Sequence, residues 1–175
     1  MTVSAVQETR SLQQSGRPML TVDISDMKVS TNPEEILVTY SLGSCVGVVL
    51  YDPVVRVGGM IHCMLPLSRI DPEKAALKPH MFVDTGLSAL LRAVYERGAR
   101  KKDLIARVAG AGSPLGQEKI FKIGQRNYTV VRKVLWKNNI MIASENVGGP
   151  EARTLFMDMA TGRTLVKSGG REVEL

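Results

Sequence analysis

The stretch ILVTYSLGSCVGVVLYDPVVRVGGMIHCML, residues 36–65, decides the fold of this chain. Three runs of apolar and β-branched residues alternate with small or turn-forming residues, a pattern that predicts three consecutive strands. The predicted strands cover residues 36–41, 45–51 and 57–65. Asp52-Pro53 turns the chain between the second and third runs, so we expect those two strands to form an antiparallel hairpin.

Two helices and several further strands are predicted outside this stretch. Apolar residues at helical spacing indicate helices over residues 83–97 and about 126–137, and residues 67–80 have the composition of a loop. Further strands are predicted over residues 104–109, 139–144, 154–159 and 164–167, the last two as a closing hairpin. The order βββ-α-β-α-β-ββ does not alternate regularly, which favours an α+β fold over a doubly wound parallel sheet.

The length of 175 residues fits a single folded domain. Residues 1–18 are polar, rich in Ser and Gln and without periodicity, so they are predicted to form a flexible N-terminal tail. We expect the folded domain to cover residues 19–168 and a C-terminal tail to cover residues 169–175. No internal repeat or low-complexity segment is present.

Composition excludes several classes of protein. The mean hydropathy is +0.01, and no apolar run approaches the roughly 18 residues that a membrane span requires, so no membrane insertion is expected. The N-terminal residues lack the features of a secretory signal, which predicts a cytoplasmic location. The net charge is +6, but only 5% of residues are aromatic, too few for a base-stacking platform along the basic clusters. Nucleic acid is therefore not an expected partner.

The segment Thr39-Tyr-Ser-Leu-Gly-Ser-Cys45 carries the candidate chemistry, because it places a cysteine at the exit of a glycine-containing turn. Gly43 can take a positive φ and leaves room for a substrate beside the sulfur. Backbone N–H groups around Gly43 and Ser44 could face a developing oxyanion. The predicted hairpin could bring the His62 imidazole beside the Cys45 thiol, take its proton and give a thiolate–imidazolium pair. The hydroxyl or carbonyl of Thr39 could then orient the ring.

Plainer interpretations compete with this one. A cysteine in an apolar strand is usually a small core residue, and a strand histidine is usually structural. A metal site would draw on Cys45, His62, Cys63 and His80. However, His62 and Cys63 are adjacent in a strand and point to opposite faces, and neither C-x-x-C nor H-x-x-x-H occurs. With two cysteines and no export signal, a disulfide is disfavoured as well. We therefore expect no metal, and Cys63 to be a core residue.

The loop at residues 110–116, Gly-Ala-Gly-Ser-Pro-Leu-Gly, follows a predicted strand as a dinucleotide-binding loop would. Its spacing is G-x-G-x-x-x-G, and Pro114 stands where the helix should open. No helix N-terminus is then available to receive a pyrophosphate. The loop is predicted to be a plain connection, and no cofactor is expected.

Several segments resemble the CheD chemoreceptor glutamine deamidases of bacterial and archaeal chemotaxis. The resembling segments are LGSCVGVVLYDP at 42–53, GGMIHCMLP at 58–66, IGQRN at 123–127, and SENVGGPEAR with the TGRTLVK hairpin within 144–167. They spread over about residues 30–168. The resemblance implies a β-sandwich-like core of mixed and antiparallel strands flanked by helices, similar to bacterial toxin deamidases.

The resemblance also assigns roles. It places the nucleophile at Cys45, the base at His62 and the third catalytic residue at Thr39, and it implies hydrolysis of receptor glutamine side chains to glutamate through a cysteine thioester. The implied partners are the cytoplasmic helical region of chemoreceptors and a CheC-type phosphatase. Two alternatives stay open: a module that mainly binds the receptor or the phosphatase, and a methylesterase acting on glutamyl methyl esters by the same acyl chemistry.

Overall fold

The three strands predicted within residues 36–65 are present in the computed structural model, which describes residues 12–114 and 122–175. In chain order the strands are β1 (Met19–Thr21), β2 (Asp26–Ser30), β3 (Ile36–Leu42), β4 (Val46–Asp52), β5 (Val57–Cys63), β6 (Ile105–Gly110), β7 (Ile142–Val147), β8 (Arg153–Asp158), β9 (Thr164–Ser168) and β10 (Arg171–Glu174). The α-helices are α1 (Pro72–Leu77), α2 (Val83–Glu96) and α3 (Ile123–Lys137).

The strands form two mixed five-stranded sheets, in the orders β1-β3-β8-β9-β10 and β2-β5-β4-β6-β7. The predicted β4–β5 hairpin is antiparallel and runs in register from Val46 opposite Cys63 to Asp52 opposite Val57. Strand β3 instead lies in the first sheet, where it pairs with β1 and β8. The chain therefore crosses from one sheet to the other between β3 and β4, at residues 43–45.

The sheets stack face to face on an apolar layer, because alternate residues of each strand point to opposite faces. This layer joins residues from both sheets: Leu37, Leu155, Met157 and Val166 from the first, and Val49, Tyr51, Met60 and Ala109 from the second. The other face of the second sheet packs against α2 and α3 through residues such as Val48, Ile61, Leu87 and Val131. The predicted α+β fold with a sandwich core and flanking helices is confirmed. Among the described residues, no helix is both long and apolar enough to cross a membrane.

Residues 67–80 differ from the predicted loop, because they contain α1 between two short 3-10 turns. The Asp71 carboxylate caps this helix by accepting a hydrogen bond from the Lys74 N–H at 3.0 Å, and Pro72 occupies its first position. None of its side chains is buried. With no apolar stripe and only six residues, the helix lacks the periodicity by which longer helices are recognised.

The two predicted tails are more ordered than expected where the structure describes them. Residues 1–11 lie outside the described residues. Leu12 is buried against the outer face of the first sheet, and Arg17 forms an ion pair with Asp158 at 2.8 Å. At the other end, Arg171–Glu174 form β10, which pairs with β9. Strand β10 is fully exposed, so it lacks the apolar alternation that would have revealed it.

Helix α3 approaches the second sheet unusually closely at Gly124. A Cβ atom at this position would lie 2.1 Å from the Gly112 carbonyl oxygen and 2.6 Å from that of Ala111. Both obstacles are backbone atoms, so no side-chain rotation could relieve the clash. Because Gly124 has no side chain, the first turn of α3 can pack directly against the loop that follows β6.

We predict that Gly124→Ala destabilises the fold by about 1–3 kcal/mol or more, the typical cost of overpacking. Urea unfolding followed by circular dichroism measures this change. The matched control is Gln125→Ala on the exposed side of the same helix, which should change stability by less than about 0.5 kcal/mol. Equal stability of both variants would contradict the close approach of α3.

Candidate active site

The turn at residues 43–45, where the chain crosses from one sheet to the other, places Cys45 directly before β4. Cys45 is half-buried, unlike the fully buried β4 that follows it, and its side chain packs against the apolar layer between the sheets. By strand alternation it shares this face with Gly47 and Val49, whereas Val46 and Val48 point to the helices.

His62 reaches the same face from the neighbouring strand. It lies directly opposite Gly47 in the β4–β5 ladder, so Cys45, two residues before Gly47, is its diagonal neighbour across the strands. Diagonal neighbours on one face are typically about 7–8 Å apart and within reach of long or aromatic side chains. The predicted hairpin therefore brings the thiol and the imidazole to one face of one sheet.

Thr39 meets His62 from the opposite sheet. Its hydroxyl oxygen lies 2.7 Å from the ring Nδ1 and also donates a hydrogen bond to the Val22 carbonyl at 2.7 Å. A hydroxyl carries one hydrogen, and that hydrogen is directed to Val22. The His62 ring must then donate its Nδ1–H to Thr39, which leaves Nε2 with a free lone pair.

The free nitrogen is enclosed. His62 and Thr39 are both 0% exposed, and Nε2 has no hydrogen-bond partner within residues 12–114 and 122–175. Buried polar atoms are normally hydrogen-bonded, so a ring nitrogen without a partner is unusual. This nitrogen lies on the face of the sheet that carries Cys45. Such a nitrogen can accept a proton.

Burial sets the charge of both groups. It lowers the pKa of His62 to about 4, against a smaller opposing effect of the Asp23 carboxylate. Burial also raises the pKa of the Cys45 thiol, only partly offset by the residue's own N–H. Both shifts favour the uncharged forms. At neutral pH the resting pair is thus a thiol and a neutral imidazole, rather than the thiolate–imidazolium pair expected from the sequence.

The backbone of the turn is hydrogen-bonded to the loop that follows β6. The Gly43 carbonyl accepts from the Gly112 N–H and the Cys45 carbonyl from the Ala111 N–H, both at 2.7 Å. In the part of the chain that the structure describes, the N–H groups of Ser44 and Cys45 have no acceptor outside their own residues. The sequence predicts Gly43 and Ser44 as the oxyanion donors, but the Gly43 N–H donates to the Ser41 carbonyl at 3.0 Å, so Cys45 and not Gly43 is the second available donor beside Ser44.

Gly43 itself departs from its predicted conformation. The positive φ of this region belongs to Ser41, at 59°, where β3 bulges between Thr39 and Leu42. Gly43 has a negative φ, and the one described side chain that a Cβ atom there would meet is the Pro114 ring at 3.5 Å, an ordinary contact. The positive φ therefore falls two residues earlier than expected, and Gly43 contributes the lack of a side chain beside Cys45 and not an unusual backbone angle.

Cys63 takes no part in this arrangement. It is a free, fully buried residue on the helix side of the second sheet, where it packs with α2. Burial raises the pKa of its thiol strongly. His62 and Cys63 therefore point to opposite faces, as their adjacent positions predict.

Asn127 is a residue of the site that was not among the predicted candidates, although it lies in the IGQRN segment. This residue of α3 is 0% exposed, and its amide nitrogen donates to the Ser44 carbonyl at 2.9 Å and the Met64 carbonyl at 3.0 Å. The available signal was its spacing from Gly124, since residues three apart share one face of a helix. The face that approaches the sheet through Gly124 is the face that carries Asn127.

Comparison with known proteins identifies the family. The family model described as "CheD chemotactic sensory transduction" matches residues 64–168. A protein of Syntrophus aciditrophicus (strain SB), named "Probable chemoreceptor glutamine deamidase CheD 1", is 49% identical over 149 residues, or 85% of this chain and 93% of that protein. The chain belongs to the CheD family. The family predicted from the sequence segments is thus confirmed.

A second named relative and one solved structure also match this chain. A protein of Solibacter usitatus (strain Ellin6076), named "Probable chemoreceptor glutamine deamidase CheD", is 44% identical over 154 residues, covering 88% of this CheD-family chain and 91% of that protein. Among solved structures, the Bacillus licheniformis hypothetical protein YfiH has a TM-score of 0.46 and 19% identity over 70% of this chain and 49% of that one. The family-model match begins at Met64, so Thr39, Cys45 and His62 lie before it.

We predict that His62 makes stability depend on pH. Its pKa is about 4 in the folded chain and about 6.5 when unfolded, so the unfolded chain binds the extra proton between these values. The resulting stability is complete above pH 6.5 and is lost as the pH falls through 4, a difference of about 3 kcal/mol.

Urea unfolding at pH 7, 5.5 and 4 tests this prediction on the wild type and on His62→Asn. Asparagine keeps an N–H to donate to Thr39 but cannot titrate. The wild type should lose about 3 kcal/mol more than the variant between pH 7 and 4. Equal losses in the two proteins would show that His62 titrates normally and is not sealed from water.

Proposed function

We propose that this chain is a protein-glutamine deamidase that hydrolyses glutamine side chains of chemoreceptors to glutamate through a thioester on Cys45. The observation that carries the proposal is the contact between Thr39 and the His62 Nδ1, because it leaves Nε2 free on the face that holds the thiol. The names of the two relatives, both probable chemoreceptor glutamine deamidases, support the choice of substrate.

The first half of the reaction forms the thioester and releases ammonia. As the sulfur of Cys45 bonds to the γ-carboxamide carbon, the thiol proton moves to the His62 Nε2, and the carbonyl π electrons move to the oxygen. The N–H groups of Ser44 and Cys45 would stabilise that oxyanion. When the carbonyl re-forms, the carbon–nitrogen bond breaks, and the Nε2 proton goes to the departing amide nitrogen as ammonia forms.

The second half hydrolyses the thioester. A water molecule enters where ammonia left, gives its proton to the His62 Nε2 and adds to the thioester carbon. Collapse of this second intermediate breaks the carbon–sulfur bond, and the sulfur recovers its proton from the imidazolium. The product is a glutamate side chain. Thr39 keeps the ring in the required tautomer throughout and stabilises the imidazolium that forms after each proton transfer.

Because both groups are uncharged at rest, the proton must move as the sulfur attacks. A preformed thiolate would react rapidly with alkylating reagents throughout the neutral range, whereas a half-buried thiol that shares a face with a neutral imidazole reacts with them more slowly. The geometry thus supports selective acyl chemistry over general thiol reactivity.

The partners follow from the proposed substrate. We infer that the chain acts in the cytoplasm on the helical cytoplasmic region of chemoreceptors, since a glutamine must be presented on an exposed surface to reach a half-buried thiol. A CheC-type phosphatase as a second partner, proposed on the family resemblance, is a prediction as well. Neither nucleic acid nor membrane insertion is part of the proposal.

We predict that Cys45→Ala abolishes deamidation while Cys63→Ala retains it, because only Cys45 shares a face with His62. Both proteins are incubated with cytoplasmic receptor fragments, and peptide mass spectrometry follows the replacement of amide NH₂ by OH at each glutamine. Release of ammonia, measured in parallel, should match the number of glutamines converted.

The cysteine pair makes the test specific, since both substitutions remove one sulfur but only one of them lies in the site. Turnover by Cys45→Ala at the wild-type rate would refute the thioester. Binding of receptor fragments without any conversion by the wild type would favour a binding module. Release of methanol from methylated receptor, without release of ammonia from glutamine, would favour the methylesterase.

A further inference from the structure

We propose that Asn127 is a positioning residue that aims the Cys45 N–H at the oxyanion of the reaction. This inference deepens the proposed function and rests on it. The three consecutive carbonyl groups of the crossing turn are all hydrogen-bonded to the loop after β6 or to α3.

The three carbonyls differ in what holds them. Those of Gly43 and Cys45 accept from the backbone N–H groups of Gly112 and Ala111, on the loop after β6. The Ser44 carbonyl between them accepts from a side chain, the amide of Asn127, at 2.9 Å. Of the three anchors, this is the one that a single substitution can remove without altering the backbone.

A trans peptide links the held carbonyl to the free donor. The structure contains no cis peptide among the described residues, and in a trans peptide the C=O and the following N–H point in opposite directions. Fixing the Ser44 carbonyl on Asn127 therefore fixes the direction of the Cys45 N–H, one of the two N–H groups of the turn that have no acceptor in another described residue. A donor aimed before the reaction begins stabilises an oxyanion without reorganisation.

The orientation of the Asn127 amide is determined by its surroundings. Its nitrogen faces two carbonyl oxygens, those of Ser44 and Met64, so the flipped amide would place oxygen against oxygen. Its own Oδ1 is buried without a hydrogen-bond partner among the described residues. An unsatisfied buried carbonyl costs about 1–3 kcal/mol, so packing alone would favour an apolar residue here. The two hydrogen bonds that the amide nitrogen donates explain why an asparagine occupies this position.

The second hydrogen bond extends the same role. Met64 directly follows β5, the strand that carries His62, so Asn127 ties the cysteine turn to the end of the histidine strand. Gly124 supports this, because the close approach of α3 at that residue brings Asn127 within reach one turn later. A loss of the amide would loosen the Ser44–Cys45 peptide before it affected the ring held by Thr39.

The test compares two reactions of the same sulfur. Deamidation passes through an oxyanion, whereas alkylation by iodoacetamide is a direct displacement at carbon that forms none. In Asn127→Leu, similar in shape but without donors, kcat for deamidation should fall by about 100-fold, the lower end of the loss for one oxyanion donor. KM and the rate of Cys45 alkylation should change by less than about threefold. The Cys63→Ala background confines alkylation to Cys45.

Two controls keep the result interpretable. Gln125→Leu places the same side chain on the exposed face of α3 and should leave both reactions unchanged. Asn127→Ser keeps one hydroxyl donor, should recover part of kcat, and serves as the test variant if the leucine variant does not fold, which circular dichroism reports. In that case the serine variant must lose kcat while alkylation stays normal.

The outcomes separate two failures. If kcat and alkylation fall together, or if kcat does not fall in a folded variant, Asn127 has only a structural role or none, and the positioning proposal is overturned. If wild type releases no ammonia from receptor fragments, the proposed function fails first, and Asn127 has no oxyanion to serve.

Discussion

The site depends on one hydrogen bond between the sheets, from the His62 ring to the Thr39 hydroxyl. Both residues are fully buried, so each polar atom must be satisfied inside the protein or cost about 1–3 kcal/mol. The hydroxyl does this by accepting from one sheet while donating to the Val22 carbonyl. The bond thereby ties the sheets together and fixes the tautomer of the ring, and it leaves one basic nitrogen without a partner in the described part of the chain.

The remaining features place the Cys45 thiol on the face of the sheet that carries that nitrogen. The chain crosses between the sheets at residues 43–45, so the turn that links the sheets also carries the thiol. The loop after β6 and Asn127 hold the turn from behind, which leaves two N–H groups turned away from those anchors. Since the anchors are mostly backbone atoms, much of the geometry is set by the fold, and few side chains need to be specific.

The sequence predicted the fold well where its apolar pattern was strong. The β4–β5 hairpin was predictable because Asp52-Pro53 separates two buried strands, and the register then placed His62 opposite Gly47. The helices α2 and α3 were predictable from their apolar stripes. Strands β1 and β2 were not identified, because both are short and only half-buried, and β10 is exposed throughout. A local pattern holds no information about such edges, since they form by pairing with distant strands.

The candidate residues of the site came from the sequence, but their electrostatics did not. Cys45, His62 and Thr39 were proposed from the turn, the predicted hairpin and the family resemblance, and the structure adds which atom of the ring faces Thr39. The charge state of the pair was not predictable, because it depends on burial that only the packed sandwich provides. Asn127 was missed because its contacts join residues 83 and 63 positions apart in the chain. No periodicity indicates such a distance.

The tautomer of His62 tests the central claim most directly. Nitrogen-15 NMR of the folded chain at pH 7 distinguishes a protonated from an unprotonated ring nitrogen at each position. We expect a neutral ring with hydrogen on Nδ1 and a bare Nε2, with this preference lost in Thr39→Val and kept in Thr39→Ser. A ring that carries its hydrogen on Nε2, or an imidazolium at pH 7, would contradict the account, because neither could take the proton of Cys45.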